Sequence, residues 1–131
     1  MTKKTILLID ECKVVMDLTK RMLERVGHSV RVAESRSEAL EFLQKSTPDC
    51  IVLDIRLPDI DGLDYCRELR RKSDVPILFI SCNKDDEVPA LHAGANDFMK
   101  SPFNYDVLKA RLSVMLSGRC QKAIGESASP D

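Results

Sequence analysis

The sequence predicts an α/β fold: one parallel sheet of five strands with helices on both faces. Three observations predict it. Five short apolar runs alternate with five helix-like stretches along the chain. Three of the runs are unbroken apolar blocks, as strands covered on both faces require. The chain's 131 residues, 44% hydrophobic and 31% charged, suffice for one domain with a substantial core. The order βαβαβαβαβα then calls for right-handed crossovers into a single sheet.

The first strand reads at Ile6-Leu7-Leu8-Ile9. Val15, Leu18, Met22 and Val26 follow at three- and four-residue steps, a helical stripe that Gly27 stops. Val30-Arg31-Val32-Ala33 alternates, which suits a half-exposed or edge strand. Ser35-Arg36-Ser37-Glu38 has capping-box spacing and opens a second helix through Ala39, Leu40 and Leu43. Ile51-Val52-Leu53 is the third strand, and the third helix runs from about Leu63 through Cys66 and Leu69. Ile77-Leu78-Phe79-Ile80 is the fourth strand. A fourth helix starts after Asn83, with Asp85, Asp86 and Glu87 in a first turn that favours anions, and ends at Gly94. The fifth strand is the weaker Phe98-Met99. Its helix carries Leu108, Leu112, Met115 and Leu116 and stops at Gly118. Residues 119–131 read as a tail or the start of a linker, leaving 1–118 as the domain.

Twenty Lys and Arg against 21 Asp and Glu give a net charge of −1. That balance argues against direct binding of nucleic acid or anionic membrane, since both need excess positive charge. The apolar runs are too short to span a bilayer, and no secretory signal opens the chain, so a cytoplasmic location is expected. The five cysteines (Cys12, Cys50, Cys66, Cys82, Cys120) lack a Cys-x-x-Cys pair and read mostly as small buried hydrophobes. His28 and His92 have no metal-ligand spacing and are expected at the surface. Lys109, Arg111, Arg119 and Lys122 make the last helix and its exit mildly basic, a solvated face by default.

In an open α/β sheet, ligands bind beyond the carboxyl ends of the strands. Asp10 and Glu11 follow the first strand, Asp54 the third, Ser81 the fourth, and Lys100 and Ser101 the fifth. One carboxylate at a strand end is commonly a solvated loop acid. Three on one rim repel one another unless a cation sits among them, and hard oxygen ligands suit Mg²⁺.

These residues and their surroundings resemble the receiver domain of two-component response regulators. Ile-Leu-Leu-Ile-Asp10-Glu11 is similar to the family's first strand and acidic pair. Asp54-Ile-Arg-Leu-Pro58-Asp-Ile-Asp-Gly62 is similar to its phosphoacceptor loop, and Ile-Leu-Phe-Ile-Ser81 to its fourth strand and switch hydroxyl. Ala93-Gly94-Ala95-Asn96-Asp97-Phe98 with Pro102-Phe103 resembles the run into the last helix. The resemblance covers about residues 4–118. It implies a flavodoxin-like, doubly wound (βα)5 fold with strand order 2-1-3-4-5. It further implies that Asp54 accepts a phosphoryl group from the phosphohistidine of a sensor histidine kinase or phosphotransfer protein. Mg²⁺ would be held by Asp10, Glu11, Asp54 and the backbone carbonyl of Arg56. Ser81 would bind a phosphoryl oxygen, and Phe98 would be the aromatic switch on strand five, without the hydroxyl that many relatives carry there. The plain alternative for Phe98 is a core aromatic. A C-terminal output domain or downstream protein, and a homodimer on phosphorylation, are the further partners implied. The module signals and is not a turnover enzyme, although it would catalyse its own phosphorylation and slow dephosphorylation.

The pattern breaks at strand five. The family's lysine precedes the proline, and here Ser101 stands in its place while Lys100 is one position early. Side chains alternate faces along a strand, so Lys100 should point away from the site. Either a bulge or the strand's twist returns it, or the site lacks that cation and relies on Mg²⁺ and Ser81. The second is preferred. Cys82 stands where relatives carry a very small residue, and either packs or slows the entry of water. The segment from Ser81 to Gly94 is about two residues short and contains Pro89, so helix four should be short or displaced. Three rivals remain. A phosphohydrolase with an aspartate nucleophile wants a second Asp where Arg56 stands. A flavin carrier would need a phosphate-binding loop where Asp10 and Glu11 stand. A receiver-like interaction domain that signals without phosphorylation is the strongest of the three.

Overall fold

The computed structural model describes residues 3–117. Five strands, β1 (Thr5–Ile9), β2 (Ser29–Ala33), β3 (Cys50–Asp54), β4 (Ile77–Ser81) and β5 (Asp97–Lys100), alternate with five helices. The helices are α1 (Lys13–Val26), α2 (Arg36–Lys45), α3 (Gly62–Lys72), α4 (Glu87–His92) and α5 (Tyr105–Leu116). All neighbouring strands run parallel, in the order β2-β1-β3-β4-β5. This is the flavodoxin-like arrangement expected. The alternating run, β2, is an edge strand, with Val32 exposed.

Successive strand residues feed opposite cores. Leu7, Ile9, Ile51, Leu53, Ile77, Phe79 and Phe98 face α2, α3 and α4. Ile6, Leu8, Cys50, Val52, Leu78, Ile80 and Met99 face α1 and α5. This two-sided burial is why three of the strands read as unbroken apolar blocks.

The helix ends show how local chemistry fixes the frame. Gly27 closes α1 at φ 110°, a conformation that costs a side-chain-bearing residue steric energy. At α2 the Ser35 hydroxyl accepts from the Glu38 N–H, while the Glu38 carboxylate accepts from the N–H of Glu34. The capping box is thus present with its return bond one residue early. Asp61 caps α3 by accepting from the N–H groups of Leu63 and Asp64, and Asn104 caps α5.

Several expectations are corrected. The stripe of α1 that enters the core is Met16, Thr19 and Leu23, with Leu18 exposed. Both stripes have helical spacing, and the true one was hidden because a threonine occupies its middle. The fourth helix is split: Lys84–Asp86 form a 3-10 turn, and α4 proper has six residues beginning at Glu87. Asp85 and Asp86 therefore lie outside its first turn. Pro89 is the third residue of α4, where no intrahelical partner for an N–H exists, so it is tolerated there. His28 is buried, and its Nδ1 accepts from the N–H of Lys4 at 3.3 Å. Cys50 and Cys66 are buried as expected, but Cys82 is exposed and fills no core space. Gly118, Arg119, Cys120, Lys122 and the tail 119–131 lie outside the described residues.

Candidate functional site

The site is assembled where β1 and β3, the neighbouring strands that flank the sheet's switch point, end together. Ile9 pairs with Leu53, so the next residues, Asp10 and Asp54, emerge side by side. By alternation both carboxylates project on the α1/α5 side, as Leu8 and Val52 do. Asp10 is 2% exposed and Asp54 4%. Burial pushes Asp10 up to about 6, against a hydrogen bond from the Cys12 N–H and with repulsion from Asp54 adding to the shift. Burial also raises Asp54, and here the Arg56 N–H and guanidinium work the other way. The Arg56 N–H donates to Asp54 Oδ1 at 2.8 Å, and its Nε lies 3.7 Å from the same oxygen. Glu11 is exposed and reaches the pair only through its negative field, which raises both groups.

Two buried carboxylates that repel each other suit a hard divalent cation, which relieves the repulsion and needs only oxygen donors. Mg²⁺ takes one or two carboxylates and keeps several waters. Asp10, Asp54 and the Arg56 carbonyl fit that donor set. Glu11 does not complete a ready-made cage: among the described residues, no group of three His, Cys, Asp or Glu side chains is placed to hold a metal by itself.

The other rim residues are not gathered on Asp54. Ser81 is 2% exposed and continues the Phe79 side of β4. Its hydroxyl donates to Asp86 Oδ2 at 2.5 Å and accepts from the Asn83 N–H at 3.1 Å. Lys100 is opposite Ser81 in register, exposed, and lines a groove along the β5 edge of the sheet with Lys84, Glu87 and Phe98 on one side and Phe103, Val107 and Arg111 on the other. By alternation it projects on the Phe98 side, opposite to Asp54. Ser101 follows it, joined to Pro102 by a cis peptide, and its N–H donates to the Ser81 carbonyl at 2.8 Å. Phe98 is buried and stacks on Phe79, with ring centroids 6.3 Å apart.

Three site features escaped the sequence reading. The resemblance gives Arg56 a role only through its backbone carbonyl, yet its side chain makes the ion pair of Asp54. Asp86 was assigned to a helix turn, and its link to Ser81 depends on the split of that helix. Asp59 in the phosphoacceptor-like loop accepts from the N–H of Arg36 at 2.9 Å and from the N–H and hydroxyl of Ser37 at 3.2 and 3.1 Å. It thereby caps α2 from a loop 22 residues away in sequence. The Arg36 guanidinium in turn grips Glu68 of α3 at 2.8 Å.

The family model for the response regulator receiver domain matches residues 6–113. The chain belongs to this family. Among similar proteins is the response regulator MprA of Mycobacterium sp. (strain KMS), 37% identical over 114 residues. That match takes in 85% of this chain and 50% of MprA; the chain spans about half the length of the curated relatives it matches. Among solved structures, a two-component response regulator from Clostridium difficile matches with TM-score 0.82 at 29% identity, over 88% of this chain and 97% of that one. The receiver domain of the sensor histidine kinase PA1611 from Pseudomonas aeruginosa PAO1 matches with TM-score 0.80 at 28% identity, over 88% and 99%. That structure has a magnesium ion coordinated in its active site cleft. This receiver domain has no helix, among its described residues, long and apolar enough to cross a membrane.

Proposed function

We propose that this receiver domain is a phosphoacceptor: Asp54 takes a phosphoryl group from a phosphohistidine, and the resulting acyl phosphate changes the domain's surface for a partner. The observation that carries the reading is the buried, mutually repelling Asp10–Asp54 pair at the paired ends of β1 and β3. Isolated loop acids would be solvated. A pair held in this state is suited to bind a cation and then an anion. Asp10, Glu11, Asp54 and the Arg56 carbonyl would hold Mg²⁺. When bound, it screens the repulsion between the acceptor carboxylate and the incoming phosphoryl group.

An Asp54 oxygen attacks phosphorus, a P–O bond forms, the P–N bond breaks, and the imidazole leaves after taking up a proton. The Arg56 N–H holds Asp54 Oδ1, which leaves Oδ2 as the attacking oxygen. The Ser81 hydroxyl, once it leaves Asp86, would bind a phosphoryl oxygen, and Phe98 would answer by changing rotamer. Lys100 and Ser101 have no part in the transfer. The donor is a sensor histidine kinase or phosphotransfer protein in the cytoplasm, and the reader is an output domain or separate protein.

A second reading, an interaction domain that signals without phosphorylation, is favoured by the Ser81–Asp86 bond and by Ser101 in the lysine's place. The phosphohydrolase is disfavoured by Arg56. Intact-mass spectrometry after incubation with acetyl phosphate and Mg²⁺ separates the two main readings. One phosphoryl on the wild type and none on Asp54→Asn is expected. No adduct on the wild type, with Mg²⁺ bound, would favour the second reading.

A further inference from the structure

A phosphoryl group on Asp54 brings negative charge beside Asp10 and Glu11, and a transferable phosphate is normally met by a protein cation as well as a metal. Lys100 projects on the Phe98 side of β5, into the groove along the sheet edge that Lys84 and Glu87 also line. Among the described residues, the cation within ion-pair distance of Asp54 is Arg56, with Nε 3.7 Å from Oδ1. That distance is an ion pair without a hydrogen bond, and the Arg56 side chain is 57% exposed. The guanidinium is therefore largely open to solvent beside Asp54, with Nε beyond hydrogen-bond distance of Oδ1. Only the guanidinium end of the pair is exposed, and no hydrogen bond to Asp54 holds it, so it turns to a second anion close by at small cost. The anchor beneath it is firm. The Arg56 N–H is bonded to Asp54, and the N–H of Gly62 is bonded to the Ile55 carbonyl at 2.9 Å.

We infer that the Arg56 guanidinium is the phosphoryl-binding cation of this domain, supplied from the loop after β3 in place of a strand-five lysine. A planar fork of five donors matches phosphate oxygens better than an ammonium does. The inference rests on the phosphoacceptor reading and names the residue that completes that site. It carries an opposite consequence for the metal. In the unphosphorylated domain Arg56 already neutralises part of Asp54, so it competes with Mg²⁺.

The experiment compares wild type, Arg56→Ala, Arg56→Lys and Lys100→Ala. Mg²⁺ affinity is measured by NMR titration without any phosphoryl donor, and the labelling rate by intact mass with acetyl phosphate and Mg²⁺. Arg56→Ala is expected to bind Mg²⁺ several-fold more tightly yet to label about tenfold or more slowly, from the lost charge-assisted contact. Arg56→Lys should recover part of the rate, and Lys100→Ala should match the wild type in both readouts. A side chain that merely supports the loop would weaken both. Equal labelling of Arg56→Ala and wild type, or a collapse in Lys100→Ala, overturns the inference while leaving the phosphoacceptor reading intact. A wild type that takes no phosphoryl group overturns both.

Discussion

Asp10 is the clearest case of a side chain placed against its own solvation. The unfolded chain would ionise it near 3.8, whereas the fold holds it at about 6. At pH 7 the difference costs the metal-free protein on the order of 3 kcal/mol. Asp10→Asn should therefore stabilise the metal-free protein in urea denaturation at pH 7 by up to about that amount. It should also abolish the stabilisation that Mg²⁺ gives. A loss of stability without metal would refute this account of the residue. Gly62 is the opposite case, a residue defined by what it lacks. A Cβ there would stand 2.5 Å from the Ile55 Cα and 2.6 Å from its carbonyl oxygen. Both are backbone atoms, which cannot swing aside. Gly62→Ala should cost on the order of 1–3 kcal/mol, read as a lower urea midpoint with unchanged slope. The sequence made Gly62 visible as a motif position. The reason for it, close approach of the α3 start to the β3 exit, is a tertiary fact and was not legible.

Between β4 and α4 the chain does with a 3-10 turn what a full helical turn would otherwise do. Shortness and Pro89 were enough to predict a curtailed helix. The split at Glu87 was not legible, because a run of acids is compatible with either geometry. The split has a functional result: it brings the Asp86 carboxylate onto the Ser81 hydroxyl. On the phosphoacceptor reading, a serine committed to that carboxylate would first have to break away to reach a phosphoryl oxygen. Asp86→Ala should therefore raise the acetyl phosphate labelling rate by a few-fold, since one hydrogen bond to a charged group is removed from the resting state. Slower labelling in that variant would mean that Asp86 positions Ser81 for the reaction. The same logic applies to α1. Its helical period was readable, but which of two adjacent stripes faces the sheet was decided by packing around Thr19, a residue an apolar reading passes over.

For the molecule as a whole, the parallel sheet and its order were legible because apolar blocks and helical stretches alternate without interruption. The acidic residues of the site were legible because strand ends are where such folds gather function. The pairing of Asp54 with Arg56 and the outward turn of Glu11 depend on rotamers and burial, which spacing does not encode. The shared consequence is a pH dependence. The native state keeps Asp10 protonated where the unfolded chain has already released the proton, so metal-free stability falls as pH rises from about 3.8 through about 6. Mg²⁺ held at Asp10, as proposed, would compete with that proton, and a ligand that binds only the folded state stabilises it by mass action. Melting curves should show a larger Mg²⁺-induced rise in Tm at pH 7.5 than at pH 5. An equal rise at both would place the metal away from Asp10.

The cap that Asp59 lends to α2 has a practical side. This chain has no tryptophan, so the fluorophore most often used to follow such a site is missing. The backbone amides of Arg36 and Ser37 serve instead. Both are bonded to a carboxylate five residues beyond Asp54, so any adjustment of that loop changes their hydrogen-bond lengths and hence their proton frequencies. In a two-dimensional spectrum of the unmodified domain, these two signals on a remote helix should move with the chemistry at Asp54, a built-in gauge of occupancy that needs no label.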